Sequence, residues 1–269
     1  MRRREDHRAD RCIDIAESDS DVSLKCRTMA DQLTFDDFRR LALRGDLSRS
    51  ARIGFGEGLR SGNADAILAD LRSKLTHLDL PSVRVVDVGA GCGELTSALL
   101  AHGASLQQDL TLVDSDEVLA AIDSPVPFRK VAGRFPENVT QIPGDADVVL
   151  CYSVLQYVAK EGSLLRFLDG LLGLLRPGGQ CLIGDVPNAS MRRRFMAGPA
   201  GRAYHAANYG TDPEPLLRAG IDHDELNDGM IIGLLLRARE MGFHAFTMPQ
   251  AWTLPMATRR EDLLFVRPG

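Results

Sequence analysis

The sequence predicts a doubly wound α/β fold with a mostly parallel, seven-stranded sheet and an antiparallel strand at its C-terminal edge. Short β-branched apolar runs alternate with helical patterns from residue 83 onward, which is typical of parallel strands covered by helices. The first of these runs leads straight into a glycine-rich turn. The last two runs, 243–250 and 261–268, are joined by a short link with no helical pattern, which favours an antiparallel pair.

The residues before the sheet predict a small helical region. Thr34 and Asp37 have the spacing of a capping box, so we expect the first helix to begin there. Residues 44–63 contain five glycines and four arginines, which predicts a loop or short helical turns. An apolar stripe after Asn63 predicts a helix that ends before Pro81.

The sheet elements then follow in a regular order. The helix beginning at Glu94 is expected to stop near Gly103, and "RPGG" at 176–179 has the composition of a turn. A second long helix is predicted at 163–175. The predicted parallel strands are 83–90, 109–115, 127–135, 146–155 and 180–186.

These patterns divide the chain into three parts. Residues 1–28 are rich in charged residues and serine and are predicted to be a disordered tail, because so few apolar residues cannot offset the entropy of ordering. Residues 29–80 are expected to form an N-terminal helical lid region. Residues 81–269 form the core, with a polar, turn-rich insertion at about 190–230 that we expect to bind substrate.

Composition excludes several classes of function. The formal net charge is -5, and the chain has no basic excess, so nucleic acid is not an expected partner. No apolar run approaches the roughly 18 to 20 residues that span a bilayer, and the start lacks the apolar core of a signal peptide. We therefore expect a cytoplasmic protein that does not bind membranes. The five scattered cysteines indicate neither a disulfide framework nor a metal site.

The stretch "VVDVGAGCGELTSALL" at 85–100 marks the expected ligand site. In open α/β sheets the ligand lies beyond the carboxyl ends of the strands, and glycines let the main chain approach it closely. The dinucleotide pattern GxGxxG would place a glycine at position 94, where this chain has Glu94. NAD is therefore disfavoured.

The spacing DxGxGxG, from Asp87 to Gly93, resembles the first motif of class I S-adenosylmethionine-dependent methyltransferases, which have a Rossmann-like fold. "DVVLCYSVLQYV" and "LLRPGGQCLIGD" are similar to later motifs of that family. The wider pattern "YSV…GDVPN…RRRF…RED" resembles bacterial methyltransferases of surface-sugar biosynthesis. The resemblance implies that S-adenosylmethionine is the cofactor.

The resemblance also implies roles for individual residues. Asp87 would bind the methionine amino group, and Asp114 would accept hydrogen bonds from both ribose hydroxyls. Gly133, Arg134 and Phe135 follow the third strand, where the family contacts adenine, although the acid that often binds the adenine amino group there is not found. The expected cofactor contacts are Asp87, Gly89, Ala90, Gly91, Gly93, Asp114, Ser115, Gly133, Arg134, Phe135, Tyr152 and Ser153.

The acceptor is expected to be a small polar molecule. The fourth-strand sequence "CYSV" differs from the NPPY-like tetrapeptide used on nucleobase nitrogens, so methylation of DNA is disfavoured. The predicted general base is His205, with Asp185 second. The predicted substrate-binding residues are Tyr204, Asn208, Tyr209 and His223.

Two alternatives to a methyltransferase stay open. The first is a non-catalytic S-adenosylmethionine-binding partner of an active subunit, and the second is an NAD-type Rossmann oxidoreductase. The sequence also leaves open whether the protein forms a homodimer.

Overall fold

The computed structural model describes residues 33–54, 62–210, 213–214, 217 and 225–269. The predicted tail at 1–28 lies outside the described residues. The strands are β1 (Arg84–Val88), β2 (Asp109–Asp114), β3 (Arg129–Ala132), β4 (Ala146–Tyr152), β5 (Leu175–Pro187), β6 (His244–Pro249) and β7 (Arg260–Val266).

Helices lie before and between these strands. Thr34 caps the first one through a complete capping box with Asp37, as predicted. The helices in the described part of the chain are α1 (Phe35–Ala42), α2 (Arg49–Arg52), α3 (Ala64–Lys74), α4 (Glu94–Ser105), α5 (Asp116–Ala120), α6 (Leu155–Glu161), α7 (Leu164–Gly173), α8 (Ala189–Ala197), α9 (Pro199–Tyr209) and α10 (Asp228–Glu240).

The seven strands form one sheet in the order β3-β2-β1-β4-β5-β7-β6. The chain runs outward from β1 to β3 and then returns to place β4 on the other side of β1. All pairs from β3 to β5 are parallel. Because the strand order reverses between β1 and β4, the crevice beyond their carboxyl ends is the expected ligand site.

The predicted fold class is confirmed, with one refinement at the C-terminal edge. β7 pairs antiparallel with β5 on one side and with β6 on the other. The antiparallel strand is therefore one position in from the edge, and β6 is the edge strand.

Several element boundaries differ from the prediction. The "RPGG" sequence at 176–179 lies within β5, where the pairing with β4 shifts register between Ala146 and Val148. Gly178, at φ +77°, supplies the local bend that the dipeptides had indicated as a turn. Residues 189–209, which show no clear period, form α8 and α9.

The sheet is covered on both faces. Along β1, Val86 packs in the cluster that contains Phe167 of α7, whereas Val85 packs in the cluster that contains Leu71 of α3. This alternation is the period of two that a strand imposes on its side chains. None of the helices in the described ranges is both long enough and apolar enough to cross a bilayer.

Candidate active site

The loop after β1 is glycine-rich because its backbone needs left-handed conformations. Gly89 has φ +73° and Gly91 has φ +64°, a region that residues with a Cβ rarely adopt. Gly93 instead has an extended φ and caps the N-terminus of α4 with its backbone. The two positive φ values fold the loop back over the ends of the strands.

Protein side chains also restrict this loop. A Cβ at Gly89 would lie 2.4 Å from Cγ2 of Val154, and a Cβ at Gly93 would lie 2.7 Å from Cδ1 of Ile53. At Gly91 the nearest atom would be Cγ2 of Ile53, at 3.3 Å. The glycines therefore make room for Val154 and Ile53, which the sequence alone did not indicate.

Asp114 connects the glycine loop to the end of β2. Its Oδ2 accepts a 2.9 Å hydrogen bond from the Gly91 N–H, and its Oδ1 accepts a 2.7 Å bond from the Ser115 N–H. Burial raises the pKa of Asp114 to about 6, and the two N–H donors oppose that rise. A carboxylate has about four acceptor positions, so two remain for other donors.

Asp87 lies at the carboxyl-terminal end of β1 and is 5% exposed. Burial, together with the negative charge of Asp114, raises the pKa of Asp87 to about 7. Both causes disfavour the ionised form. A cation placed beside Asp87 would reverse this effect, so the position is suited to binding an ammonium group.

A cavity of about 610 Å³ opens beside the glycine loop. This volume is within the range of about 300 to 1,000 Å³ that small-molecule pockets have in proteins. Of the twelve predicted cofactor contacts, all but Ser115 line it: Asp87, Gly89, Ala90, Gly91, Gly93, Asp114, Gly133, Arg134, Phe135, Tyr152 and Ser153. Ser115 is buried and caps α5, with its Oγ accepting from the Val118 N–H at 3.3 Å. The structure thus brings residues from the ends of four strands to one cavity.

The wall beyond β3 contains an acid that sequence reasoning missed. Glu137 lines the cavity two residues after Phe135. Phe135 itself is 8% exposed, and its ring lies edge-on to that of Phe167 with centroids 5.2 Å apart. Phe135 therefore belongs to both the cavity wall and the core. In the sequence, the one signal for Glu137 was its position two residues after Phe135.

Helix α1 closes one side of the cavity. Phe38 packs edge-on against Tyr157 of α6, with centroids 4.8 Å apart, and both line the cavity. Arg39 forms a two-pronged ion pair with Glu117 of α5, at 3.0 and 2.7 Å. Helix α1 is thus held to the helices that follow β2 and β4. The lid role of residues 29–80 remains a prediction that these contacts support.

Neither of the two predicted bases is among the described residues that line the cavity. Asp185 is buried at φ +58°, where its Oδ2 accepts from Arg260 Nη1 at 2.7 Å and from the Ser153 hydroxyl. Gln250 donates to its Oδ1 at 3.3 Å. His205 is 4% exposed on α9 and is not among the described residues that line the cavity. Their catalytic roles therefore remain predictions.

The predicted substrate-binding residues are only partly described. The Tyr204 hydroxyl accepts a 2.9 Å hydrogen bond from Arg259, whose guanidinium lies 4.7 Å from the Tyr204 ring centroid. Asn208 donates to the Tyr204 carbonyl at 2.8 Å. Neither residue belongs to the described cavity wall. His223 and the side chain of Tyr209 lie outside the described residues.

Asp185 belongs to a larger buried charge network beside the site. Lys74 donates to Asp70 at 2.6 Å and to Asp262 at 2.7 Å. Asp262 in turn accepts from the Asp185 N–H at 2.8 Å. This network joins residues of α3, β5 and β7. Arg260, Gln250 and Ser153 donate to the Asp185 carboxylate, so this buried acid is fully engaged outside the described cavity wall.

The comparisons with known proteins agree with this geometry. A family model described as a methyltransferase domain matches residues 60–213. The chain belongs to this methyltransferase-domain family. The predicted class, that of the S-adenosylmethionine-dependent class I methyltransferases, is confirmed, and S-adenosylmethionine is the methyl donor of that class.

Curated relatives match only part of the methyltransferase. The ubiquinone biosynthesis O-methyltransferase of Pseudomonas aeruginosa (strain LESB58) is 28% identical over 115 residues, which cover 40% of this chain and 46% of that protein. The enzyme of the same name from Dechloromonas aromatica (strain RCB) is 29% identical over 117 residues, covering 40% and 47%. The matched part spans about half the length of these relatives.

Solved structures share the fold over most of the chain. An O-methyltransferase family protein from Burkholderia thailandensis has a TM-score of 0.53 at 18% identity, covering 88% of this chain and 63% of that one. Magnesium protoporphyrin IX methyltransferase from Synechocystis PCC 6803, solved with S-adenosylhomocysteine, has a TM-score of 0.51 at 17% identity, covering 87% and 94%. At these identities the similarity shows the fold alone.

The residues present fit S-adenosylmethionine. Asp114 keeps two acceptor positions, which match the two donors of a ribose diol. Asp87 is suited to an ammonium group, and the cavity between them is large enough for a nucleoside. Apolar side chains of Val88, Val113 and Phe135 line the same cavity and suit a flat ring.

Proposed function

We propose that this protein transfers a methyl group from S-adenosylmethionine to an oxygen or nitrogen of a small polar molecule, such as a sugar-like intermediate. The observation that carries the proposal is the position of Asp114, which fixes the glycine loop with two oxygens and still has free acceptor positions at the cavity. The family membership and the O-methyltransferase relatives support the same reaction class.

The bound donor would supply an activated methyl group on a sulfonium. The protein's own task is then to orient the acceptor in line with that methyl group and to exclude water. Helix α1, through Phe35 and Phe38, covers part of the cavity with aromatic rings and would exclude water from it. Asp87 and Asp114 would hold the donor at its two polar ends.

A general base is needed only if the acceptor is a hydroxyl or a protonated amine. The proposed base remains His205, with Asp185 second. Both are buried, and Asp185 already accepts from Arg260 and from the Ser153 hydroxyl. Ser153 lines the cavity, so Asp185 would act on an acceptor through this hydroxyl.

A second candidate is a non-catalytic cofactor-binding subunit. The observation that favours it is that neither proposed base lies on the described cavity wall. Melting temperatures measured with S-adenosylmethionine, S-adenosylhomocysteine and NAD test cofactor choice directly, because a ligand that binds the native state raises the melting temperature. The proposal predicts shifts with the first two ligands and none with NAD.

Turnover separates the enzyme from the binding subunit. The protein is incubated with deuteromethyl-labelled S-adenosylmethionine and fractionated pools of small polar metabolites, and labelled products are sought by mass spectrometry. A labelled product that disappears in the Asp114→Ala variant supports the enzyme. Cofactor binding without a labelled product from any pool favours the subunit.

A further inference from the structure

β6 is the edge strand of the sheet, and within the described residues it pairs only with β7. Edge strands of monomeric proteins are usually protected by charged side chains, whereas β6, HAFTMP, contains no Lys, Arg, Asp or Glu. We propose that a second copy of this chain binds at this edge, with the two β6 strands antiparallel across a twofold axis through Thr247. The inference concerns assembly and goes beyond the proposed function.

The main-chain groups of β6 alternate between β7 and the open edge. In an antiparallel ladder, successive residues of a strand direct their N–H and C=O groups to opposite sides. The Arg267 N–H donates to the Gly179 carbonyl on the β5 side at 2.9 Å, so the even-numbered residues of β7 and β6 form the ladder between these two strands. Ala245, Thr247 and Pro249 therefore direct their main-chain groups to the open edge.

This edge is complementary to itself at one register. With the Thr247 residues of the two copies opposite each other, Ala245 lies opposite Pro249. The two Thr247 residues would exchange two hydrogen bonds, and each Ala245 N–H would donate to a Pro249 carbonyl. Proline has no N–H to offer the Ala245 carbonyl, but that carbonyl already accepts from Arg239 Nη2 at 2.6 Å. Every main-chain group of the three edge residues therefore has a partner at this register.

Half-exposed apolar side chains flank the edge on both faces of the sheet. Ile232 and Leu236 of α10 are 52% and 53% exposed, and their spacing places them on one helical face with Arg239. Because Arg239 reaches the Ala245 carbonyl, that face borders the open edge. Phe246 is 46% exposed and lies on the other face of the sheet, since side chains alternate along a strand. Pairing the two edges would bury these apolar groups.

The two ends of the edge carry complementary charges. Arg239 lies where β6 begins, whereas Glu261 of β7 and Asp228 of α10 lie where β6 ends. Asp228 pairs with Arg194, so Glu261 is the acid left for a further cation. Glu240 lies about 100° further round the helix than Arg239, away from the edge. The twofold axis would bring the arginine end of each copy to the acidic end of the other.

Sedimentation velocity of the full chain at micromolar concentrations measures the assembly, and the proposal predicts a dimer. Leu236→Lys should weaken the dimer by about 10- to 100-fold, because it places an ammonium group from each copy in the apolar contact. Leu165→Lys is the matched control, since Leu165 is 51% exposed on a different helix, α7, and this variant should sediment like the wild type. Circular dichroism checks that each variant is folded.

Cysteine cross-linking tests the register. Residues directly opposite in a hydrogen-bonded antiparallel pair have Cα atoms about 5.5 Å apart, which a disulfide spans. Thr247→Cys should therefore form a disulfide-linked dimer under mild oxidation. His244→Cys should not, although His244 is also exposed on β6, because the axis places the two copies of this residue far apart. The wild type, oxidised in parallel, accounts for the native cysteines.

A monomeric wild type would overturn the proposal and leave the edge to a different protein. A dimer that Leu236→Lys weakens no more than Leu165→Lys would also overturn it, since the two copies would then meet elsewhere. Cross-linking of both cysteine variants, or of neither, would overturn the axis through Thr247. None of these four positions lies on the described cavity wall, so the result is independent of whether the protein transfers methyl groups.

Discussion

The backbone N–H of Gly91 donates a 2.9 Å hydrogen bond to Oδ2 of Asp114. One acid therefore fixes the glycine loop and also faces the cavity where a ribose would bind. Positioning of the loop and recognition of the ligand are coupled through this side chain, so its substitution should affect both.

Asp114→Ala is expected to lower affinity for S-adenosylhomocysteine by about 100-fold or more, because hydrogen bonds to a charged acceptor are lost and the loop loses its anchor. Isothermal titration measures this. Asp116→Ala is the matched control, since Asp116 is an exposed acid two positions along the chain, at the start of α5. Equal affinity in wild type and Asp114→Ala would remove the ribose assignment.

The raised pKa of Asp87 predicts that the stability of the protein depends on pH. Its pKa rises from 3.8 in the unfolded chain to about 7, so the native state binds the proton more tightly. The contribution of Asp87 to the unfolding free energy is therefore complete at low pH and is lost as the pH rises from about 4 to about 7. Relative to Asp87→Asn, the wild type should lose on the order of 1 to 3 kcal/mol of unfolding free energy between pH 5 and pH 8.

Urea unfolding of both proteins at several pH values measures this difference. The same ionisation should strengthen binding of an ammonium-bearing ligand, so affinity for S-adenosylhomocysteine should increase from pH 5 to pH 8 in the wild type and change less in Asp87→Asn. Parallel stability profiles for the two proteins would contradict the burial of an acid with a raised pKa.

Gly89→Ala is expected to destabilise the protein by about 2 to 4 kcal/mol, because the new Cβ meets Val154 and the residue must keep a left-handed φ. Gly144→Ala is the control, since no atom lies within 4 Å of its Cβ position. Adding Val154→Ala to Gly89→Ala should restore only the packing part of the loss. Full recovery would mean that the positive φ carries no cost.

Asp185→Asn tests the buried network. Removing one charge from a buried ion pair leaves Arg260 uncompensated and should cost about 3 to 5 kcal/mol. Asp79→Asn provides the contrast, because Asp79 pairs with Arg72 on an exposed surface and its loss should fall within measurement error. Chemical unfolding distinguishes the two. A small loss at Asp185 would indicate that the network contributes little to stability.

His205→Ala tests the proposed base. The sequence prediction is lower turnover with unchanged affinity for S-adenosylhomocysteine, measured once an acceptor is found. Because His205 is buried on α9, melting temperature is recorded alongside, so that a folding defect is recognised. Full turnover in a folded variant would remove this residue from the mechanism.

The sheet and the cavity wall beside the glycine loop could be predicted from the sequence because their signals are local. The apolar runs of β1 and β4 and the glycines between β1 and α4 each occupy one short stretch. Eleven of the twelve predicted contacts, which end or follow β1, β2, β3 and β4, line one cavity. Ser115, the twelfth, caps α5 and is not among the described residues that line the cavity. A helix cap and a cofactor contact look the same in sequence.

The other parts depend on contacts between distant segments. Ile53, which follows α2, and Val154, which follows β4, both lie against the glycine loop, and no periodicity marks either of them. Helices α8 and α9 lack a clear apolar periodicity. The Asn188 side chain caps α8, and Phe195 of α8 packs against Tyr204 of α9, a contact that sequence patterns do not show. The orientation of Asp185 depends on Arg260, which lies 75 positions later.

Calorimetric titration of the wild-type protein with S-adenosylhomocysteine, and separately with NAD, tests the central claim most directly. We predict one binding site per chain for S-adenosylhomocysteine and no measurable heat with NAD. Saturable binding of NAD together with no binding of S-adenosylhomocysteine would contradict the assignment of the cavity beside Asp114.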